Sequence, residues 1–226
     1  MTRSGPPSGR RRTARGAAAD MAASAASPPR IIGGELRGRR LAFVPDGPTR
    51  PMKDRVRETV FDLLGTTVRG AVALDLFAGT GALGFEALSR GASAVVFCER
   101  HFPTAAVLRR SAAALDVSAR TDVRTGDVLL WARRMPVLPV TAPWIVFISP
   151  PWEMFGETPG RRADLMELVA ALMRSAPAGS TLVVESDVPF PSAALPAGDR
   201  WETRPAPPAV LHLLRADRFP DPVPSG

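Results

Sequence analysis

The stretch VALDLFAGTGALGFEALSRG (72–91) limits the folds open to this chain more than any other. An apolar run ends in an acid. Glycines spaced G-x-G-x-x-G follow (Gly79, Gly81, Gly84), and then apolar residues at helical spacing. That is a strand, a tight turn and a helix in direct succession. The pattern then repeats. Strands are expected at 71–77, 93–98, 120–124, 143–149 and 180–185, and helices at 82–90, 102–115, 127–134 and 162–176. Strand–helix alternation gives a parallel sheet covered on both faces, an α/β fold. After Pro189 the character changes. RWETRP and AVLHLLRA, separated by a Pro-rich turn, read as a final antiparallel pair.

Upstream, RIIGGELRGRRLAFVP reads as two short strands around a basic turn at Arg37, Gly38, Arg39 and Arg40. TRPMKDRVRETVFDLLG reads as a helix, with Pro51 in its first turn and Gly65 at its stop. Val56, Val60, Leu63 and Leu64 form its apolar stripe.

Taken alone, the glycine turn suggests a dinucleotide site. Asp75 argues otherwise. It ends the first strand at the carboxyl edge, where ligands of such sheets sit, and a carboxylate there repels a pyrophosphate. It favours a cation such as the ammonium of an amino acid, and S-adenosylmethionine carries both an ammonium and a sulfonium. Glu99 ends the second strand, where a carboxylate accepts from ribose hydroxyls. Asp127 ends the third, placed to accept from an adenine amine or to cap the next helix.

The fourth apolar run, WIVFI, stops in Ser149-Pro150-Pro151-Trp152. Prolines fix φ and bias the preceding residue towards extended geometry, so this is a stiff turn. Its carbonyls have no adjacent N–H competing for them. They can accept from an exocyclic amine, Ser149 adds a further donor or acceptor, and Trp152 can stack on a planar base. An aryl amine is a poor nucleophile, because its lone pair is delocalised. Two acceptors on its hydrogens would aim that pair at a sulfonium methyl, so positioning matters more than a strong base.

The charge is unevenly placed. The chain is net +7, with +5 in residues 1–30 and +3 in residues 31–60, so the remainder is slightly acidic. Of its 29 basic residues 28 are arginine, a compositional bias that explains Arg over Lys but not the clustering. A basic N-terminal quarter suits a polyanion. Residues 1–29 have no apolar periodicity and read as a disordered basic tail. An RNA-touching tail, a transit peptide and a start at Met21 are its alternative readings. A single cysteine, Cys98, excludes an internal disulfide and a cysteine-cluster metal site, and fits a reducing compartment. His101 and His212 give no zinc-ligand spacing, and no metal is expected. No apolar run approaches the ~20 residues of a membrane span.

DLFAGTGALG, ER after the second strand, and SPPW in the place of (D/N/S)-P-P-(Y/F/W) resemble the class I methyltransferases acting on amino nitrogens. RIIGGELRGRRL, TRPMKDRVRETVFDLLG and LDLFAGTGALGFEALSRGA together resemble the bacterial RsmD-type family, which methylates guanine N2 in small-subunit ribosomal RNA. The likeness covers roughly residues 30–190. The family's usual Asp-Pro-Pro-Tyr is Ser149-Pro150-Pro151-Trp152 here, and Met52 stands where Thr is usual. The resemblance implies a Rossmann-like, mostly parallel seven-stranded sheet with helices on both faces and an N-terminal β-hairpin. The expected division is a tail at 1–29 and one domain at 30–226, with the hairpin at 30–48 and the core at 49–226.

It further implies a cytoplasmic enzyme acting on ribosomal RNA in an assembling small subunit, with S-adenosylmethionine as cofactor; a monomer is expected. The expected cofactor set is Asp75, Phe77, Ala78, Gly79, Gly81, Glu99, Arg100, Asp127 and Val128. Ser149, Pro150, Pro151 and Trp152 form the expected catalytic turn. Arg37, Arg39, Arg40, Arg50, Lys53, Arg55 and Arg57 are the expected RNA contacts. Methylation of adenine N6 or of a protein glutamine, a nicotinamide-dependent oxidoreductase and a catalytically idle RNA-binding assembly factor are the competing readings.

Overall fold

Seven strands form one sheet in a computed structural model that describes residues 28–43, 52–133, 138, 142–156, 160–187 and 190–216. In chain order they are β1 (Val72–Asp75), β2 (Ala94–Glu99), β3 (Thr121–Thr125), β4 (Trp144–Ile148), β5 (Thr181–Asp187), β6 (Glu202–Ala206) and β7 (Ala209–Arg215). The spatial order is β3-β2-β1-β4-β5-β7-β6. β3, β2, β1, β4 and β5 are mutually parallel, while β7 runs antiparallel to both β5 and β6. This is the mostly parallel seven-stranded sheet that the resemblance implied.

Among the described residues five α-helices flank it: α1 (Asp54–Leu64), α2 (Ala82–Ser89), α3 (Phe102–Ala114), α4 (Val128–Arg133) and α5 (Arg161–Ser175). The central strands are apolar on both sides because both faces are covered. Alternate residues divide between two cores. Ala73, Val95, Phe97, Ile145, Phe147 and Val183 pack with α1, α2 and α3. Leu74, Val96, Val146, Ile148, Leu182 and Val184 pack with α4 and α5. Phe61 of α1 meets Phe147 of β4 at 5.7 Å between ring centroids.

The expected α1 stripe is displaced. Val56, Val60 and Leu64 are buried, but Leu63 is only half-buried, and Arg57 and Phe61 complete the face. The 3.6-residue period allows this, since 57 and 61 lie beside 56, 60 and 64. Gly65, at φ 54°, ends the helix, and Pro51 lies outside the described residues.

The expected N-terminal hairpin is short: its arms meet at an antiparallel bridge, Arg30 with Arg40, without forming extended strands. The segment makes many of its hydrogen bonds elsewhere. The Ile32 N–H donates to Glu86 Oε2 at 2.8 Å, Leu36 N–H to Ser89 Oγ at 2.9 Å, and Ala42 N–H to Ser111 Oγ at 2.9 Å. Those partners sit on α2 and α3, so the loop is strapped across helices as well as closed on itself: the Ile31 N–H donates to the Arg39 carbonyl at 2.9 Å, the Gly38 N–H to the Ile31 carbonyl at 2.8 Å and the Leu41 N–H to the Pro29 carbonyl at 2.8 Å. Almost all of the expected disordered tail, Arg50, and Arg134 at the expected end of α4 lie outside the described residues.

Candidate active site

The carboxyl ends of β1, β2, β3, β4 and β5 form one edge, and the chemistry-bearing residues gather there. At its centre is the glycine turn. Gly79 (φ 51°) and Gly81 (φ 75°) take left-handed backbone that a side chain disfavours. At Gly81 a Cβ would also lie 2.5 Å from Leu108 Cδ2, and at Gly84 one would lie 2.3 Å from Phe97 Cε1. The third glycine therefore seats α2 on the sheet. The first two shape the turn.

Asp75 is 2% exposed, and its Oδ2 accepts from the Gly84 N–H in the first turn of α2 at 3.0 Å. It thus caps a helix as well as facing the edge. Burial pushes its carboxyl up to about 7; the Gly84 hydrogen bond opposes the rise and Glu99 adds to it. A carboxylate so poorly compensated fits an incoming cation.

Glu99 is half-buried and already employed. Its Oε2 accepts from the Gly79 N–H at 2.9 Å and its Oε1 from the His101 N–H at 2.7 Å. One carboxylate thus ties the glycine turn to the start of α3. A carboxylate has about four lone-pair sites, so acceptor capacity for ribose hydroxyls is left. Asp127 caps α4: its Oδ1 accepts from the Leu129 N–H at 2.9 Å. Phe77 is half-buried, Ala78 and Val128 are buried, and Arg100 is exposed. Cys98 beneath them is inert, its thiol pushed up to about 12 by burial and then by Glu99 and Asp127.

Among the described residues the large exposed apolar side chains are Phe102 (75%), Leu130 (61%) and Trp152 (40%). Each lies just beyond a carboxyl strand end: of β2, β3 and β4 in turn. Phe102 and Leu130 were not singled out from the sequence. Their isolation as uncovered side chains emerges only when the core is assembled.

After β4, Pro150 is buried, Pro151 exposed, and Trp152–Phe155 form a short 3₁₀ turn. The Pro151 carbonyl accepts from the Met154 N–H at 2.9 Å, and Met154 and Phe155 anchor the turn in the core. Trp152 stays at the surface, so it is not a core tryptophan. The sequence reading also overlooked Glu185. The pairing of Ile148 with Val184 puts Ser149 and Glu185 side by side at the ends of adjacent parallel strands. Burial raises the Glu185 carboxyl above its usual range, and the neighbouring Ser149 side chain opposes the rise.

The basic set divides. Arg37, Arg39, Arg40, Lys53 and Arg55 are exposed, although Arg39 Nη2 also donates to the Ala114 carbonyl at 2.6 Å. Arg57 is corrected: it is completely buried and is not a surface contact for RNA. Its Nη2 donates to the Arg30 carbonyl at 2.6 Å and to Asp54 Oδ1 at 3.0 Å, and its Nε lies 3.8 Å from Glu86 Oε2. Helical spacing turns position 57 inwards, and charge alone did not reveal it.

Residues 29–187 match the model of the family described as Conserved hypothetical protein 95. The chain belongs to this family. Ribosomal RNA small subunit methyltransferase D of Escherichia coli K12 is 41% identical over 124 residues, 54% of this chain and 60% of that relative. A Bacillus subtilis protein named putative rRNA methyltransferase YlbH is 38% identical over 98 residues, 43% of this chain and 53% of the relative. The chain thus spans less than two thirds of the length of these curated relatives. Among solved structures, the putative methyltransferase yhhF of E. coli superposes with TM-score 0.67 at 30% identity, covering 84% of this chain and 99% of that one. An RNA methyltransferase from Salinibacter ruber, in complex with S-adenosyl-L-homocysteine, superposes at TM-score 0.53 and 16% identity over 78% of this chain and 97% of that one, a likeness of fold. The RsmD-type resemblance and the class I methyltransferase fold read from the sequence are both borne out.

Proposed function

We propose that the chain transfers a methyl group from S-adenosylmethionine to the exocyclic N2 of a guanine in 16S ribosomal RNA. The observation that carries this reading is the convergence at one sheet edge of a buried, undercompensated Asp75, the glycine turn, Glu99 and the Ser149–Trp152 turn. Asp75 would face the methionine ammonium, Glu99 the ribose, and Phe77, Ala78, Arg100, Asp127 and Val128 the adenosine. S-adenosylmethionine, when bound there, supplies an electrophilic methyl on a sulfonium. Ser149 and the Pro150 carbonyl would hold the amine's hydrogens, and Trp152 would stack on a base drawn out of its RNA stack.

The basic residues of the proposed RNA set divide between the two edges. Arg215, paired with the first residue of β5, donates from Nη2 to the Leu63 carbonyl at 2.6 Å. The C-terminal end of α1 therefore lies at the amino edge of the sheet, and Lys53 and Arg55 lie towards the edge that carries Ser149. Arg37 and Arg39 lie beside Ser89 and Ala114, the C-terminal ends of α2 and α3 and so the amino-edge side; with Arg40 they would meet a phosphate backbone away from the turn. Arg50 belongs to the same proposed set. No helix among the described residues is long and apolar enough to cross a membrane. We take the enzyme to act as a cytoplasmic monomer on the assembling small subunit.

Methyl transfer from labelled cofactor to small subunits lacking the modification, followed by nucleoside analysis, tests the reading. N2-methylguanosine is the expected product. Label in N6-methyladenosine or in protein would move the activity to another acceptor. No transfer to subunits, with RNA still bound, would favour an idle assembly factor.

A further inference from the structure

Ser149 stands where a carboxylate is usual in the resembled family, yet the structure provides a carboxylate beside it. Glu185 of β5 lies next to Ser149, just past the end of β4, on the sheet face that also carries Phe147 and Val183. The register sets the two side chains next to each other on one face, and Ser149 counters the rise that burial imposes on the Glu185 carboxyl; an ionised carboxylate can only accept, so the Ser149 hydroxyl is the donor between them. With its hydrogen committed to Glu185, the Ser149 oxygen presents lone pairs to the edge. Leu211 of β7 faces Glu185 across the strand pair and offers no partner. The charged groups nearby are otherwise placed. Arg57 of α1 is bound to Arg30, Asp54 and Glu86. Asp187 lies two residues on along β5, and Glu153 is exposed in the turn after Trp152. On β7, His212 binds Ser186 on the opposite sheet face, and Arg215 pairs with Glu202 at the far end.

Resting on the methyltransferase reading above, we propose that Glu185 is the positioning residue and terminal proton acceptor of the acceptor site, acting through Ser149. As the nitrogen–methyl bond forms, the sulfonium–methyl bond breaks and sulfur keeps that electron pair. The amine nitrogen becomes positive and must lose a proton. The Ser149 oxygen takes that proton while its own hydroxyl proton passes to the Glu185 carboxylate, which later releases it to solvent. Burial, which raises the Glu185 carboxyl above 4.5, improves the match to this task.

The test is Glu185→Gln, which keeps shape and hydrogen bonding but cannot take a proton. The kcat for ribosomal subunits is expected to fall about 100-fold with KM nearly unchanged, and the acid limb of the kcat–pH profile should disappear. Adding Ser149→Asp should restore part of the rate by returning a carboxylate to the same edge. A second readout needs no cofactor. The wild type should lose stability, relative to Glu185→Gln, as pH rises above Glu185's ordinary 4.5, because the buried charge then forms. A Glu185→Gln enzyme with wild-type kcat and pH profile overturns the proposal. If that variant does not fold, the kcat–pH profile of Ser149→Ala decides, since it cuts the same relay: a kcat about 100-fold lower with no acid limb supports the proposal, and a retained acid limb overturns it. A wild-type protein that methylates nothing sinks the methyltransferase reading itself, which is a different result from active wild type beside an unaffected variant.

Discussion

Asp75 shows how one side chain serves fold and ligand at once. Its folded carboxyl titrates at about 7 against an ordinary 3.8, so its charge forms late. A raised carboxylate contributes stability at low pH that is lost as pH climbs from 3.8 through about 7. A ligand ammonium needs the charged form. Below about pH 7, binding must therefore expel a proton, and cofactor affinity should fall up to about tenfold per pH unit. Calorimetry on wild type and Asp75→Asn checks this: the variant should bind weakly and without that pH dependence. Equal wild-type affinity at about pH 5.5 and about pH 8 would mean that the ammonium lies elsewhere. Trp152, at the same edge, is 40% exposed. Trp152→Ala should weaken RNA binding by about 1–3 kcal/mol while leaving cofactor affinity and Tm nearly unchanged. Joint loss of cofactor binding and Tm would instead make it a structural residue. Asp75, Glu99 and Trp152 were legible because position relative to a strand end identifies them. Glu185 was not, because nothing in VVESD separates a site residue from a solvated strand terminus. Only the register of β5 against β4 places it beside Ser149.

At the scale of elements, the N-terminal loop, α1 and α2 are joined through one buried acid. Glu86 is completely buried, accepts from the Ile32 N–H at 2.8 Å and from Arg90 Nε at 2.8 Å, and lies 3.8 Å from Arg57 Nε. Arg57 Nε and Nη1 have no hydrogen-bond partner among the described residues, so Glu86 compensates a guanidinium that is only partly satisfied. Removing one member of such a set strands the others. Glu86→Ala should destabilise the protein by about 3–5 kcal/mol. Arg57→Ala should cost less than additively in its presence. Denaturant unfolding of both single variants and the double gives the answer, and an additive cycle would show that the two charges do not interact. The strands and helices of the alternating core were readable because period and turn chemistry agree there. The N-terminal turn was readable as two arms that meet, since Ile31, Gly38 and Leu41 N–H groups bond across it. Its further bonds to Glu86, Ser89 and Ser111 were not, because they depend on where α2 and α3 lie.

Over the whole molecule, charge and fold are distributed differently. Residues 31–60 carry net +3, whereas the slightly acidic residues 61–226 build the whole sheet. The clustering was visible in the sequence, but which cations face solvent was not, since burial of Arg57 depends on where α1 docks. Arg37, Arg39 and Arg40 are exposed on the strapped loop and Lys53 and Arg55 on the first turn of α1, so they remain the candidates for phosphate contact. Each contact made to RNA releases condensed counterions, and log K then falls with log salt by about 0.7–0.9 per contact. Changing Arg37 and Arg40 together to Gln should weaken RNA binding and flatten that slope by about 1.5 units if both touch phosphate. Arg39 is the less clean target, because it also caps the carbonyl end of α3 at Ala114. Filter binding across a salt series measures the slope directly, with unfolding curves confirming that the double variant is as stable as wild type. Arg57→Gln is the internal contrast. It should lower stability and leave the salt slope of the folded fraction as it was, because a guanidinium held between Arg30, Asp54 and Glu86 releases no ions from RNA. An unchanged slope in the Arg37/Arg40 variant would move the RNA path off the strapped loop and onto the Lys53–Arg55 end of α1.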